Sequence, residues 1–398
     1  MSGREYTQLA QVGADMTSVS HRPQEVARLV SHMGIFDKMA EQGHEQVLFC
    51  YDRVSRLRSI IAIHDTSLGP ALGGTRMWPY KSEEEALDDV LRLSRGMTYK
   101  AGAAGCNFGG GKCVIWGDPA KDKSELLFRA LGLFVESLDG RFITGTDVGT
   151  VADDFVWARA CTSHLVALPE EHGGSGDSSI TTAFGVWHGL RACAEEVFGS
   201  VSLKGLRVAV QGVGKVGYRL CGYLQEEGAE IIAADVSREN LDRARREYRL
   251  EVVPPEEIVG VECDIFSPNA LGGVINDETL PRIRAKIVAG AANNQLDEER
   301  HGDELHRRGI LYAPDYVINA GGLIQVTEEF PTFSRERAMR RAMAIYDSLK
   351  RIFAIARRDG IPTYRAADVL VEERLKAASG WRLYLRRRGG TAAGLERS

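Results

Sequence analysis

Arg207-Val208-Ala209-Val210-Gln211-Gly212-Val213-Gly214-Lys215-Val216-Gly217 runs from an apolar, β-branched segment straight into three glycines spaced G-x-G-x-x-G. Residues 207–211 read as a buried strand, and Val216, Leu220 and Leu224 as one face of the helix that follows. A second strand pattern covers 230–234 and ends on Asp235, about 20 positions beyond the first glycine. A lone G-x-G-x-x-G is weak evidence. Between a strand and a helix, with an acid ending the next strand, it is a dinucleotide-binding fingerprint. Its glycines permit the tight turn, so that Gly212, Val213, Gly214, Lys215, Val216 and Gly217 bring a pyrophosphate to the helix N-terminus. Asp235 is expected to bind the adenosine ribose hydroxyls. It would repel a 2′-phosphate, which favours NAD over NADP.

Downstream, strand patterns at 263–267, 286–289 and 310–313 complete the second half of a doubly wound parallel sheet. Two amide-bearing loops, Ala291-Ala292-Asn293-Asn294-Gln295 and Asn319-Ala320-Gly321-Gly322, fall at strand ends, where ligands bind in such sheets. Turn asparagines are the other reading. Residues 335–378 are helical in pattern and charged, and 386–398 are basic, then small and polar, and read as a frayed tail.

Upstream the pattern differs. Residues 1–23 lack a clear period, 28–40 read as a helix, and 46–51 and 59–64 as strands. Ser82 before three glutamates starts a helix whose apolar stripe, Leu87 to Met97, delivers Lys100 at its end. Gly102 to Gly111 then reads as a glycine-rich loop placing Lys112 at its junction with a short strand, 113–116. Two lysines embedded among small and apolar residues are either a glycine-rich turn with solvated charges or a tuned pair. Desolvation and a second cation both lower a lysine pKa, which suits proton transfer near neutrality. Asp147, in Gly145-Thr146-Asp147-Val148-Gly149-Thr150, is likewise either an Asx-turn residue or a functional carboxylate. Gly173-Gly174-Ser175-Gly176-Asp177-Ser178-Ser179 is the candidate interdomain hinge, with a helix beginning near Thr182.

The chain of 398 residues is long enough for two domains. A net charge of −5 without a sustained basic run argues against nucleic acid as the partner. No run of 18 apolar residues and no signal-type leader is present, so neither a membrane span nor export is expected. Seven scattered cysteines without C-x-x-C spacing suggest reduced thiols in a cytoplasmic protein and no metal site.

These stretches, with Leu68-Gly69-Pro70-Ala71-Leu72-Gly73-Gly74-Thr75-Arg76 and Tyr312-Ala313-Pro314-Asp315-Tyr316-Val317-Ile318, resemble in order the motifs of the glutamate, leucine, valine and phenylalanine dehydrogenases. The resemblance spans residues 46–328. It implies two α/β domains flanking a cleft: a substrate-binding and oligomerisation domain, 1–180 completed by 351–398, and a Rossmann NAD domain, 181–350. It implies NAD-linked, reversible deamination of an amino acid to a 2-oxo acid and ammonia by a homo-oligomer. By motif, Lys100 matches the lysine that holds the substrate carboxylate, Lys112 the one that activates water, and Asp147 the proton carrier at the amino nitrogen. Gly73, Gly74, Met97, Gly145, Asn293 and Leu323 fall on the substrate side. Arg76, Thr182, Ala270, Asn293 and Asn319 join the glycine loop and Asp235 on the cofactor side. Leu72 stands where a glutamate-specific cation would be needed, which disfavours glutamate. Gly145 and Leu323 resemble the phenylalanine-specific members, so phenylalanine is the expected substrate, with leucine or valine as the alternative. A non-catalytic relative would be expected to lose Lys100, Lys112 or Asp147, and all three are present.

Overall fold

The computed structural model describes residues 34–330 and 332–387. The unpatterned segment 1–23, the first part of the helix expected over 28–40 and tail residues 388–398 lie outside the described residues. Helix α1 (Ile35–Gln42) starts at Gly34 and stops at Gly43, whose φ of 82° is left-handed.

The first sheet has six strands: β1 (Gln46–Tyr51), β2 (Arg58–Asp65), β3 (Ala71–Leu72), β4 (Thr75–Trp78), β5 (Gly109–Trp116) and β6 (Phe142–Ile143). Their order is β1-β2-β5-β3-β6, with β4 running parallel to the later part of β5. Alternation along β2 and β5 separates two apolar faces. Ile60, Ala62 and Val114 meet Leu87 and Leu91 of α2 (Glu83–Ala103). Ile61, Ile63, Cys113 and Ile115 meet Phe128 and Leu131 of α3 (Glu125–Glu136) and Phe155 of α4 (Ala152–Ala158). Helix α2 begins as read, with the Ser82 hydroxyl accepting from the Glu85 N–H at 3.1 Å.

The glycine run before Lys112 is corrected. Gly109, Gly110 and Gly111 form the first half of β5 rather than a loop. A Cβ at Gly110 would lie 2.1 Å from the Thr98 backbone N and 2.5 Å from the Ser94 carbonyl. Gly110 lets α2 lie backbone-to-backbone on the strand, while a Cβ at Gly109 would lie 2.0 Å from the Asp65 carbonyl and one at Gly111 2.7 Å from the Phe142 ring.

The second sheet is fully parallel, in the order β12-β11-β10-β7-β8-β9. Its strands are β7 (Arg207–Gln211), β8 (Glu230–Ala234), β9 (Leu250–Val252), β10 (Ile265–Pro268), β11 (Ile287–Val288) and β12 (Leu311–Tyr312). This is the doubly wound order, with the switch point between β7 and β10. Helices α5 (Ser179–Phe198), α6 (Lys215–Glu227), α7 (Arg238–Glu247) and α8 (Glu299–Arg307) accompany it. Short helices α9 (Asp315–Ile318) and α10 (Gly321–Thr327) precede α11 (Arg335–Ala342), α12 (Ala344–Asp359) and α13 (Thr363–Arg387). Helix α13 returns to α2: Arg374 Nη1 donates to the Gly102 carbonyl at 2.8 Å, placing a cation on the exposed carbonyls at that helix end. Among the described residues no helix is long and apolar enough to cross a membrane.

Candidate active site

Lys112 lies within β5, opposite Ala62 of β2, and is 5% exposed. The solvated-turn reading therefore fails for it. Period-two alternation puts Gly110, Lys112 and Val114 on the α2 face, so the Lys112 side chain runs toward the last turn of α2, where Lys100 sits half-buried. Burial pulls the Lys112 amine below the ordinary lysine value, with Asp147 opposing that shift. Burial brings the Lys100 amine down to about 8; Asp315 opposes this and Lys112 adds to it.

Asp147 reaches the pair through β4. Thr75 of β4 pairs with Cys113 on one side and bridges to Thr146 on the other, so one short strand joins the lysine strand to the aspartate loop. The close approach requires Gly74: a Cβ there would lie 2.4 Å from the Thr146 carbonyl and 2.9 Å from Asp147 Cβ. Asp147 Oδ1 stands 3.1 Å from Lys112 Nζ, and Oδ2 accepts from Arg76 Nε at 3.0 Å. The turn uses the backbone of Asp147, whose carbonyl accepts from the Thr150 N–H at 3.1 Å, and leaves its carboxylate out. The Thr150 hydroxyl accepts its N–H at 3.0 Å, and Asp154 caps α4 through the Val151 N–H at 2.8 Å.

From the other sheet come the two amide loops. Asn319 is 5% exposed, and its Nδ2 donates to Asn293 Oδ1 at 2.7 Å and to the Ala291 carbonyl at 3.2 Å. Its Oδ1 is buried with no hydrogen-bond partner. Asp315, not singled out from the sequence, accepts from the Gln295 and Tyr316 N–H groups at 3.2 and 2.8 Å. Burial raises its carboxyl above the usual range, with those N–H groups and Lys100 opposing.

The apolar wall is Leu72, Val166 and Leu323, all under 8% exposed and in one cluster, with Met97 packed against it. Gly73 is next to it, its missing Cβ 3.2 Å from Met97 Cγ. The expectation that Gly145 leaves ring space meets a difficulty. A Cβ at 145 would point at the Val166 segment, 2.5 Å from its carbonyl oxygen. A methyl there would displace backbone before it narrowed any pocket.

The dinucleotide features sit together. Gly212 has φ 89°, and its missing Cβ would lie 2.8 Å from Ala270 Cβ, which places Ala270 across the switch point. A Cβ at Gly217 would lie 2.0 Å from the Gly212 carbonyl, whereas the space beside Gly214, the residue before α6, is open. The cradle therefore fits a pyrophosphate at the start of α6, formed by Gly212 to Gly217 including Val213, Lys215 and Val216. Asp235 accepts from Val213 N at 2.8 Å and Ser237 N at 2.7 Å, and so braces the loop from the end of β8. Thr182, in the first turn of α5, donates to the Ser178 carbonyl at 2.9 Å. Arg76, expected on the cofactor side, has its guanidinium on Asp147 and on Asp89.

Comparison with known proteins agrees with this geometry. The family described as "Glu/Leu/Phe/Val dehydrogenase, dimerisation domain" matches residues 44–164, and "Glutamate/Leucine/Phenylalanine/Valine dehydrogenase" matches 173–241 and 236–356. The leucine dehydrogenase of Geobacillus stearothermophilus is 57% identical over 86% of this chain and 94% of its own length. The phenylalanine dehydrogenase of Caldalkalibacillus thermarum (strain TA2.A1) is 54% identical over 86% and 93%. The crystal structure of L-tryptophan dehydrogenase from Nostoc punctiforme superposes with a TM-score of 0.81 at 46% identity, covering 87% of this chain and 99% of that one.

Proposed function

The chain belongs to the glutamate, leucine, phenylalanine and valine dehydrogenase family of NAD-dependent amino-acid oxidoreductases, and we propose that it deaminates an apolar L-amino acid, with branched aliphatic side chains preferred. The reaction converts the amino acid and water to a 2-oxo acid and ammonium and reduces NAD. The observation that carries the reading is the pair of buried Lys112 with half-buried Asp147 at 3.1 Å, with Lys100 beside it.

Lys100, as a cation, takes the substrate carboxylate and fixes its Cα. Asp147 removes a proton from the substrate ammonium, leaving the amine free to push electrons toward Cα. NAD, held by the Gly212–Gly217 cradle with Asp235 on the ribose, supplies the hydride acceptor when bound. Lys112, its pKa lowered by burial, draws a proton from water as that water attacks the imino carbon. Asp147 then returns a proton to the departing nitrogen. The deeply buried wall of Leu72, Val166 and Leu323 offers no partner to a side-chain carboxylate, which supports an apolar substrate.

Leucine stands ahead of phenylalanine because the relatives named leucine dehydrogenase reach 57% identity against 54%, and because Gly145 no longer argues for ring space. Phenylalanine remains the second reading, favoured by Leu323. Steady-state kcat/KM for L-leucine, L-valine, L-phenylalanine and L-tryptophan with NAD tests the order; a phenylalanine value above leucine reverses it. We further propose two domains, 1–180 with 351–398 and 181–350, and a homo-oligomer. The match of residues 44–164 to a dimerisation domain supports the assembly.

A further inference from the structure

Behind Asp147 a line of alternating charges runs outward from the Lys112–Asp147 pair. Asp147 Oδ2 lies 3.0 Å from Arg76 Nε, and Arg76 Nη1 lies 3.0 Å from Asp89 Oδ2. Asp89 Oδ2 also accepts from the Tyr80 hydroxyl at 2.7 Å, and its Oδ1 from Arg92 Nη2 at 2.7 Å. The side chains of Arg76 and Asp89 are 21% and 15% exposed, whereas Arg92, at 60%, is at the surface. Each oxygen of Asp147 thus has its own cation, and the two arms of Arg76 hold two different carboxylates.

We propose that Arg76, locked by Asp89 and Tyr80, is the positioning residue that fixes the orientation of Asp147 and is its permanent counter-ion. The inference rests on the proton-carrier role given to Asp147 above. Lys112 must lose and regain its proton during turnover, so it cannot serve as a constant counter-ion. A guanidinium keeps its charge throughout. Asp89 holds Nη1, away from the Nε edge that meets Asp147, and so fixes the plane of the guanidinium while Asp147 Oδ1 stays on Lys112. An arginine serves where a lysine would not, because a single ammonium cannot hold both carboxylates in one plane.

The charged and titratable groups facing Asp147 are Lys112 from β5, Arg76 from β4 and Lys100 from α2; Asp89, Tyr80 and Arg92 form the outer shell. Removing the cation at 76 takes from Lys112 a neighbour that favours its neutral form, and from Asp147 Oδ2 its guanidinium partner. A surface cavity of about 340 Å³, lined by Arg76, Trp78, Tyr80, Glu85, Asp89 and Val148, opens on the outer end of this line of charges.

The experiment uses the full chain with Arg76→Ala, Arg76→Lys and Asp89→Asn. NAD reduction is measured with L-leucine and L-phenylalanine across pH, alongside NADH binding by fluorescence. Arg76→Ala should lower kcat by about 100-fold or more, leave NADH affinity unchanged and move the acidic limb of the pH profile upward. Added guanidinium, unlike sodium chloride at equal concentration, should restore part of the rate. Arg76→Lys should remain impaired. Asp89→Asn, which removes a negative charge, should move the same limb downward. If Arg76→Ala fails to fold, the other two variants carry the same readouts. Weakened NADH binding with an unmoved limb would make Arg76 a cofactor contact and overturn the proposal, as would a rate loss with neither pH shift nor rescue. An active wild type with unaffected variants overturns the positioning role alone. A wild type inactive on every apolar amino acid overturns the functional reading and the proposal with it.

Discussion

At the residue scale the two lysines have opposite requirements. Lys112 must be neutral to draw a proton from water, and Lys100 must be charged to hold a carboxylate. Lys112→Ala should cut kcat by about 100-fold or more, while NADH still binds; near wild-type turnover would remove Lys112 from the mechanism. For Lys100 the pH dependence has a definite sign. Its ordinary value is 10.5 and its folded value about 8. Between these the unfolded chain binds the extra proton, so stability rises with pH across that window, and below pH 8 the cost of the confined charge is fully present. Lys100→Met should therefore raise the melting temperature at pH 7 and also raise KM for the amino acid about tenfold or more, the loss expected for a hydrogen bond to a charged group. A lower Tm in calorimetry, or an unchanged KM, would contradict the reading. Asp235 likewise has two tasks, since its carboxylate braces the Val213 and Ser237 N–H groups. Asp235→Ala should narrow the NAD-to-NADP ratio of kcat/KM and weaken both cofactors; a loop unaffected by its loss would bind NAD as before.

At the scale of elements, the contact between α2 and β5 positions the two lysines. It exists because Gly110 has no side chain where the Thr98 backbone N comes within 2.1 Å of the Cβ position. Gly110→Ala must shift either the strand or the helix, and should cost about 3 kcal/mol or more and separate Lys100 from Lys112. Thermal unfolding together with leucine turnover checks this, since a stable variant would mean that the helix slides freely. The connection between the two sheets depends on a different carboxylate. Glu329, just past α10, accepts from the Ala167 N–H at 3.1 Å, the Ser175 N–H at 3.0 Å and the Ser175 hydroxyl at 2.6 Å. Glu329→Ala leaves these donors unsatisfied and should cost about 1–3 kcal/mol, seen as a fall in the denaturant midpoint.

At the scale of the whole molecule, substrate choice belongs to the assembled wall. Because Gly145 faces the Val166 carbonyl, Gly145→Ala should lower kcat/KM for leucine and phenylalanine together, within about threefold of each other. Opposed shifts larger than the roughly 1–3 kcal/mol available to a methyl in a pocket would restore the ring-space account. Leu323→Val, which changes packing without touching backbone, is the substitution expected to alter the ratio.

The sequence alone determined the parts whose physics is local. The parallel Rossmann half was legible because a buried strand, a glycine turn and an acid at the next strand end are fixed by short-range sterics; β7 runs Arg207–Gln211 as its apolar run predicts. The lysines and Asp147 were legible as chemistry from their unlikely surroundings, and by resemblance as roles. Tertiary structure decided what depends on segments far apart in the chain. Gly109 to Gly111 became strand because β2 and β3 pair with them and α2 needs the space at Gly110, none of which a ten-residue window contains. The Asp147 carboxylate was left out of its turn, which the backbone and Thr150 close, and was handed to Lys112 and Arg76. Arg76 was placed by Asp89, Asp315 beside Lys100 by the packing of α9 near α2, and Gly145 against Val166. Charge pairing and steric exclusion act through space, so sequence spacing could name these residues but not their partners.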